Sequence, residues 1–339
     1  MRERLLKEVL NSENLKKYGI VDWGVTTESR PKTWKYYYSW VEKGLNGILK
    51  YLEGERRDKR EDLRKYYPEF KSAIVFQFSY ANKKYELDKF YKSPLSNGLK
   101  IASYVLGFGG VDYHFKLREA LEDIAHQIKA IDPTLDYKLS LDTQPILERD
   151  LAFRAGLGWF GKNSMFISKS EGSFFILGSL LLSKDYELSQ RELEVDHCGQ
   201  CTRCADSCPT LAIDIETRTL NSNLCISTYT IEDFKGVQEA PKGMEDSNGE
   251  IFGCDICQEV CPWNKRLLRV GKVSINENEI SDKEREMREF FLERAPEDVI
   301  LDLENMSNRG FQRKFKSTPI ERTGRVGLLK NLRFFSGKR

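Results

Sequence analysis

CGQCTRCADSCPT, residues 198–210, sets four cysteines at intervals of three, three and four and places a proline behind the last. That is the C-x2-C-x2-C-x3-C-P run of bacterial ferredoxins, in which three thiolates hold one [4Fe-4S] cubane and the fourth crosses to a second cluster. A further set follows: Cys225 alone, then Cys254, Cys257 and Cys261, again with proline next. With the crossover, Cys198, Cys201, Cys204 and Cys261 hold one cluster, and Cys208, Cys225, Cys254 and Cys257 hold the other. All eight cysteines of the chain are then used. Paired structural zinc sites are the alternative, but these use two knuckles of two cysteines rather than a triplet with a crossing fourth.

Outward from that segment, 339 residues allow about two domains with real cores. The opening MRERLLKEVL lacks the basic tip and apolar stretch of a secretory signal. The longest apolar run, 174–182, contains Gly178 and Ser179 and falls far short of the ~20 residues that span a bilayer. A cytoplasmic, non-membrane protein is expected, and cytosolic thiols are metal ligands more often than disulfides. The net charge of +2 is uneven: residues 308–339 carry ten Lys and Arg against the single acid Glu321. A basic tail on an acidic body points to a polyanion such as nucleic acid; a solvated helical end is the other reading.

Local patterns alternate helix and strand. Residues 1–17 read as an amphipathic helix and KSAIVFQFSY (71–80) as a strand. In 115–131, Leu117, Leu121, Ile124 and Ile128 fall on one helical face. YKLSLD (137–142) reads as a strand, TQP as a turn in which Thr143 caps, and ILERDLAFRAGLG as a helix ended by glycine. Asp142 then sits where a strand hands over to a helix, the edge at which open α/β sheets bind ligands. The next two apolar runs, joined at Glu171-Gly172, read as a hairpin, and INENEISDKERE (275–286) as an acidic linker. No G-x-G-x-x-G follows a strand, no Walker A motif is present, and His114, His126 and His197 read as structural.

Six stretches together resemble the epoxyqueuosine reductase family: LDTQPILERDLAFRAGLGWFGKNSMFI (141–167), GSFFILGSLLL (172–182), DYH (112–114), CGQCTRCADSCPT, FGCDICQEVCPWN (252–264) and STPIERTGRVGLLKNL (317–332). The resemblance covers most of the chain. It implies an α/β cobalamin-binding domain, a ferredoxin-like domain with two [4Fe-4S] clusters and a short helical C-terminal part. The expected division is 1–190 for the catalytic domain, 191–265 for the clusters and 266–339 for a basic, tRNA-contacting region. The implied reaction is reduction of epoxyqueuosine to queuosine at the wobble position of tRNA, by a monomer fed from an external ferredoxin- or flavodoxin-type donor.

On this resemblance, Asp142 corresponds to the proton donor and also counts among the residues lining the cobalamin site. Arg60 corresponds to a corrinoid contact, with Arg56, Arg57 and Arg64 close enough in sequence to compete for the role. Ile251, Phe252, Gly253 and Cys254 resemble backbone laid against cobalamin, with Gly253 permitting close approach. Asn163 and Ser164 line the same pocket or form only a turn. Two other functions share parts of the pattern: a corrinoid and iron-sulfur reductase of a small epoxide or organohalide, and an electron-transfer protein serving a separate enzyme.

Overall fold

The computed structural model describes residues 2–234, 236, 238–269 and 280–337, with side chains from residue 6 onward. The chain divides into two compact units, one of residues 1–44, 50–79 and 114–201 and the other of 45–49, 80–113 and 202–339. These units cut the chain differently from the three-part division expected above, because residues 80–113 fold with the C-terminal half.

The first unit is built on a four-stranded sheet in the order Ile20–Thr26, Ser72–Ser79, Phe175–Leu182, Tyr137–Ser140. Every pairing in it is antiparallel, with Val75 opposite both Gly24 and Ser179, and Leu139 opposite Leu180. Helix and strand alternation therefore does not yield a parallel sheet here, and the parallel-sheet rule does not account for the position of Asp142. Ser72–Ser79 is buried along nearly its whole length, which fits its mostly apolar, non-alternating sequence, with Gln77 buried among apolar neighbours. One face of the sheet takes the helix Tyr113–Ile131, whose Leu121 lies against Gly178. Leu117, Leu121, Ile124 and Ile128 are all buried, as their spacing predicts. The opposite face, with Ala73, Val75 and Leu181, takes the helix Glu148–Arg154 through Leu151, Ala152 and Ala155.

Three local expectations change. Thr143 does not cap the helix, which begins after Leu147. The two apolar runs around Glu171-Gly172 do not pair as a hairpin: Phe166–Ile167 pairs backward with Trp159–Phe160, and Phe175–Leu182 enters the main sheet. Only a single bridge, Ser168 to Gly172, joins their ends. The amino-terminal helix is interrupted, running Arg2–Val9 and then Ser12–Lys16 with Asn11 capping the second segment.

The second unit has one large core in which Val105, Leu106, Ile251, Phe252, Phe291, Phe311, Phe315, Leu328 and Leu332 pack together. A two-stranded parallel pairing of Lys100–Ile101 with Glu250–Phe252 links its early and late segments. Part of the expected acidic linker is helical: Ser281 accepts a hydrogen bond from the Glu284 N–H and starts the helix Asp282–Arg288. Residues 275–279 of that linker lie outside the described residues. Pro296 opens the helix Pro296–Asn305, Ser307 caps Asn308–Lys314, and Gly324–Ser336 closes the chain against Val299 and Leu303. Among the described residues no helix is long and apolar enough to cross a membrane.

At Gly24 an added Cβ would meet the Ala155 carbonyl oxygen at 2.3 Å, so the strand and the end of the helix Glu148–Arg154 touch backbone to backbone. Gly24→Ala is expected to lower stability by about 1–3 kcal/mol through overpacking, read as a fall in the urea unfolding midpoint at unchanged slope.

Candidate functional site

In the first unit the helix Tyr113–Ile131 runs along the sheet and the chain returns through Tyr137–Ser140, so the start of the helix and the end of the strand lie at one end of the unit. There the His114 Nε2 stands 2.5 Å from Asp142 Oδ1. Asp142 has a half-exposed side chain and His114 is about a quarter exposed. His114, read from the sequence as structural, is therefore the direct partner of the candidate acid. The D-Y-H motif carried its identity, but nothing local in the sequence joined it to Asp142.

A second carboxyl belongs to the same cluster. Glu148 opens the helix that follows the Asp142 turn and hydrogen-bonds the Ser140 hydroxyl at 3.1 Å. Burial, and then the neighbouring Asp142 carboxylate, push its pKa up to about 8. Sequence reasoning passed over Glu148; its position six residues after Asp142, at a helix start, was the only available signal. The turn between them is held by Gln144, whose side chain accepts from the Leu141 N–H at 2.7 Å, and by Arg56, which donates to the Thr143 carbonyl at 2.7 Å.

Arg60 lies in the same electrostatic neighbourhood, since Glu148 acts on its charge. It is 5% exposed, stacks over Tyr37 at 5.6 Å and donates from Nη1 to the Arg56 carbonyl at 2.7 Å. Burial lowers its pKa. Arg60 forms no ion pair among the described residues, so a buried guanidinium keeps donors for a ligand's oxygens. The competing arginines are committed otherwise: Arg57 pairs with Glu42 and Asp58, and Arg64 with Asp62.

Asn163 and Ser164 make the turn that joins Trp159–Phe160 to Phe166–Ile167. The Asn163 side chain accepts from the Met165 N–H at 3.2 Å, Ser164 takes a left-handed φ of 62°, and its carbonyl accepts from Arg149. Asn163 is almost fully buried. In the second unit, Ile251 and Phe252 have no exposed surface, and their carbonyls accept from Asn331 Nδ2 and the Ala102 N–H, both at 2.8 Å. Gly253, at φ 72°, is required by the unit's own packing, because a Cβ there would sit 2.5 Å from the Ala102 Cβ.

None of the eight cysteines is in a disulfide, and all are at least partly buried. Within the second unit Cys204, Cys208 and Cys225 lie near enough to Cys257 to raise its pKa beyond the effect of burial, which is the larger cause. Cys208 Sγ accepts from the Ala212 N–H at 3.4 Å, and the Cys225 thiol receives main-chain bonds from Thr228 and Ser227. Amide hydrogen bonds to sulfur are a means of setting cluster potential. Among the described residues no three His, Cys, Asp or Glu side chains converge as for a single metal ion. The fit to clusters rests on the number, pitch and burial of the thiols.

Two family models match. One, described as a 4Fe-4S double cluster binding domain, covers residues 197–264; the other, described as Epoxyqueuosine reductase QueG, DUF1730, covers residues 60–143. The epoxyqueuosine reductase of Cyclobacterium marinum is 33% identical over 316 residues, spanning 93% of this chain and 91% of the relative. The chain belongs to the epoxyqueuosine reductase family. The epoxyqueuosine reductase of Xanthomonas campestris pv. campestris is 33% identical across 87% of the chain and 76% of its own length. Among solved structures, the epoxyqueuosine reductase of Streptococcus thermophilus matches with a TM-score of 0.72 at 25% identity, covering 98% of this chain and 80% of that one. An epoxyqueuosine reductase solved with an epoxyqueuosine-modified tRNA-Tyr stem loop shares the fold at a TM-score of 0.71 and 24% identity, with coverage of 98% and 80%. The first family model contains every cysteine, and the epoxyqueuosine reductase model runs from Arg60 to just past Asp142.

Two outcomes are expected. Glu148 in the folded protein titrates near 8, above its ordinary 4.5, so between those values the folded chain holds a proton that the unfolded chain releases. Stability should therefore fall as pH rises through that interval, and Glu148→Gln should flatten the fall in urea midpoints measured across it. Anaerobically reconstituted protein should bind roughly eight iron atoms, and Cys225→Ala roughly half of that, by iron assay and electron paramagnetic resonance.

Proposed function

We propose that this oxidoreductase reduces epoxyqueuosine to queuosine at the wobble position of tRNA, using cobalamin and two [4Fe-4S] clusters, with Asp142 as its proton donor. The observation that carries the proton-donor role is the contact of Asp142 with His114, set beside Arg60 and Glu148. Removing the epoxide oxygen as water takes up two electrons and two protons, so the site must deliver a proton where the C–O bond breaks. Asp142, with its half-exposed carboxyl, is the group that meets that oxygen. His114 holds a proton at Nε2 and passes it to Asp142 Oδ1, so Asp142 need not store one alone. Glu148, protonated at neutral pH by its burial and by Asp142, keeps a second negative charge out of the cluster.

Cobalamin, when bound, supplies low-potential electron delivery to the epoxide carbon. Arg60 is the side chain we assign to hold it, since its unspent donors suit the amide and phosphate oxygens of a corrinoid. The cluster ligands keep the sets given by their pitch: Cys198, Cys201, Cys204 and Cys261, and Cys208, Cys225, Cys254 and Cys257. Electrons enter from a ferredoxin- or flavodoxin-type donor, and the enzyme acts as a cytoplasmic monomer.

The basic C-terminal segment is our candidate for tRNA phosphates, but much of its charge is already spent. Arg322 pairs with Glu232, Lys330 with Asp233, Arg333 with Glu304 and Lys314 with Glu286. The exposed Arg309, Arg313 and Lys316 form no ion pair among the described residues and are the side chains left for phosphate.

Asp142→Asn should lower single-turnover conversion of epoxyqueuosine-containing tRNA by roughly 10²- to 10⁴-fold with dithionite as reductant, while iron and cobalamin content stay unchanged. His114→Gln should fall in the same direction by a smaller factor, by nucleoside analysis of the digested tRNA. Wild-type conversion of a free epoxide, with modified tRNA left untouched, would instead identify a small-molecule reductase.

A further inference from the structure

The second unit has a cavity of about 320 Å³ lined by Arg203, Pro262, Lys265, Arg266 and Arg269. Two chain segments make it, and both carry cluster cysteines. Arg203 directly precedes Cys204, while Pro262 directly follows Cys261 and opens the helix Pro262–Arg269. That helix is hydrogen-bonded back to the cysteine, since the Lys265 N–H donates to the Cys261 carbonyl at 2.9 Å. Asn264 and Leu267 are its buried face, and the Asn264 side chain donates to the Gln258 carbonyl at 2.8 Å. Residues 262, 265, 266 and 269 then share the outward face at helical spacing.

All four cations around the cavity are exposed, and none forms an ion pair among the described residues. Elsewhere in this unit Arg294 pairs with Asp302 and Arg322 with Glu232, while Arg309, Arg313 and Lys316 also lack an ion pair among the described residues but do not share one concave surface with these four. Like charges one helical turn apart destabilise the helix they sit on. A concave surface of one sign also concentrates its field and speeds the approach of an oppositely charged partner.

We infer that this basic cavity is the docking surface for the external electron donor, a small acidic redox protein. The inference rests on the reading above that Cys204 and Cys261 belong to one [4Fe-4S] cluster, because it is this cluster that the surface adjoins along the chain. Electron transfer weakens steeply with distance, so a donor has to seat where a cluster comes nearest to solvent. Arg203 and the helix after Cys261 directly flank two of that cluster's ligands in the chain, one of which, Cys204, is partly exposed. The step is a single-electron transfer: an anionic flavin hydroquinone becomes the neutral semiquinone as the cluster passes from the 2+ to the 1+ state, and no proton or bond is exchanged. An anionic donor surface matches the four cations, and the contact should be steered by charge, hence sensitive to salt.

The test uses full-length, reconstituted protein mixed in a stopped-flow instrument with the hydroquinone of a strongly acidic flavodoxin, following cluster bleaching over a series of salt concentrations. For a variant combining Lys265→Glu, Arg266→Glu and Arg269→Glu, the second-order rate at low salt should fall about tenfold or more, and its salt dependence should vanish or reverse. Reduction by dithionite, iron content and affinity for the tRNA substrate should stay as in the wild type. If the triple variant loses iron, Lys265→Ala with Arg269→Ala decides, with a smaller fall of the same kind expected. An unchanged flavodoxin rate in an iron-replete variant overturns the proposal. So does loss of tRNA affinity with the flavodoxin rate intact, which would make the surface a nucleic-acid contact. Failure of the wild type to form queuosine with dithionite would overturn the substrate assignment and leave this rate comparison standing.

Discussion

The backbone contact between Gly24 and Ala155 fixes where the helix Glu148–Arg154 lies on the sheet. That seating sets where Glu148 and the Asp142 turn stand in the candidate site of the first unit. The helix carries Glu148 at its start, and the Asp142 turn lies between it and the strand Tyr137–Ser140. Farther along, Arg154 is locked to Asp150 at 2.6 Å, and Asp150 also accepts from the Thr33 N–H and hydroxyl, both at 2.7 Å. A buried ion pair with its remaining acceptors satisfied gains geometric definition more than stability. Here that definition keeps a carboxyl and its neighbours in place at the opposite end of the same short helix.

Some of this was legible in the sequence because it is local. The pitch of the cysteines needs only spacing, and the stripe from Leu117 to Ile128 needs only periodicity. The β-branched and aromatic residues of 71–80 announced a strand, though not its burial, which extends even to the polar Gln77. Strand direction was not legible, because alternation of helix and strand does not say whether a chain returns parallel or antiparallel. The pairing of Phe166–Ile167 with Trp159–Phe160 was hidden by a turn whose unusual residue, Ser164, is not a glycine. A glycine-based reading placed the turn one element too late, at Gly172.

The site divides the same way. Asp142 and Arg60 were singled out from the sequence by motif and register, and the structure adds that Arg60 is the buried arginine of its stretch without an ion pair among the described residues, whereas Arg57 and Arg64 pair with acids. His114 and Glu148 were missed because they meet Asp142 only across the end of the sheet and across a turn. The basic tail was visible as composition, but composition counts charges without their partners. Four of its cations are paired within the unit, which shifts the available positive potential toward Arg309, Arg313 and Lys316.

The sequence reads Gly253 as permitting close approach of cobalamin, and within its own unit the neighbour that leaves no space for a side chain there is Ala102. Anything larger than alanine at 102, or any side chain at 253, would press on the backbone immediately before Cys254. Residues far apart in the chain are thereby tied together in size. A substitution at 102 that looks harmless, distant in sequence from any sulfur, would register as a displaced thiolate.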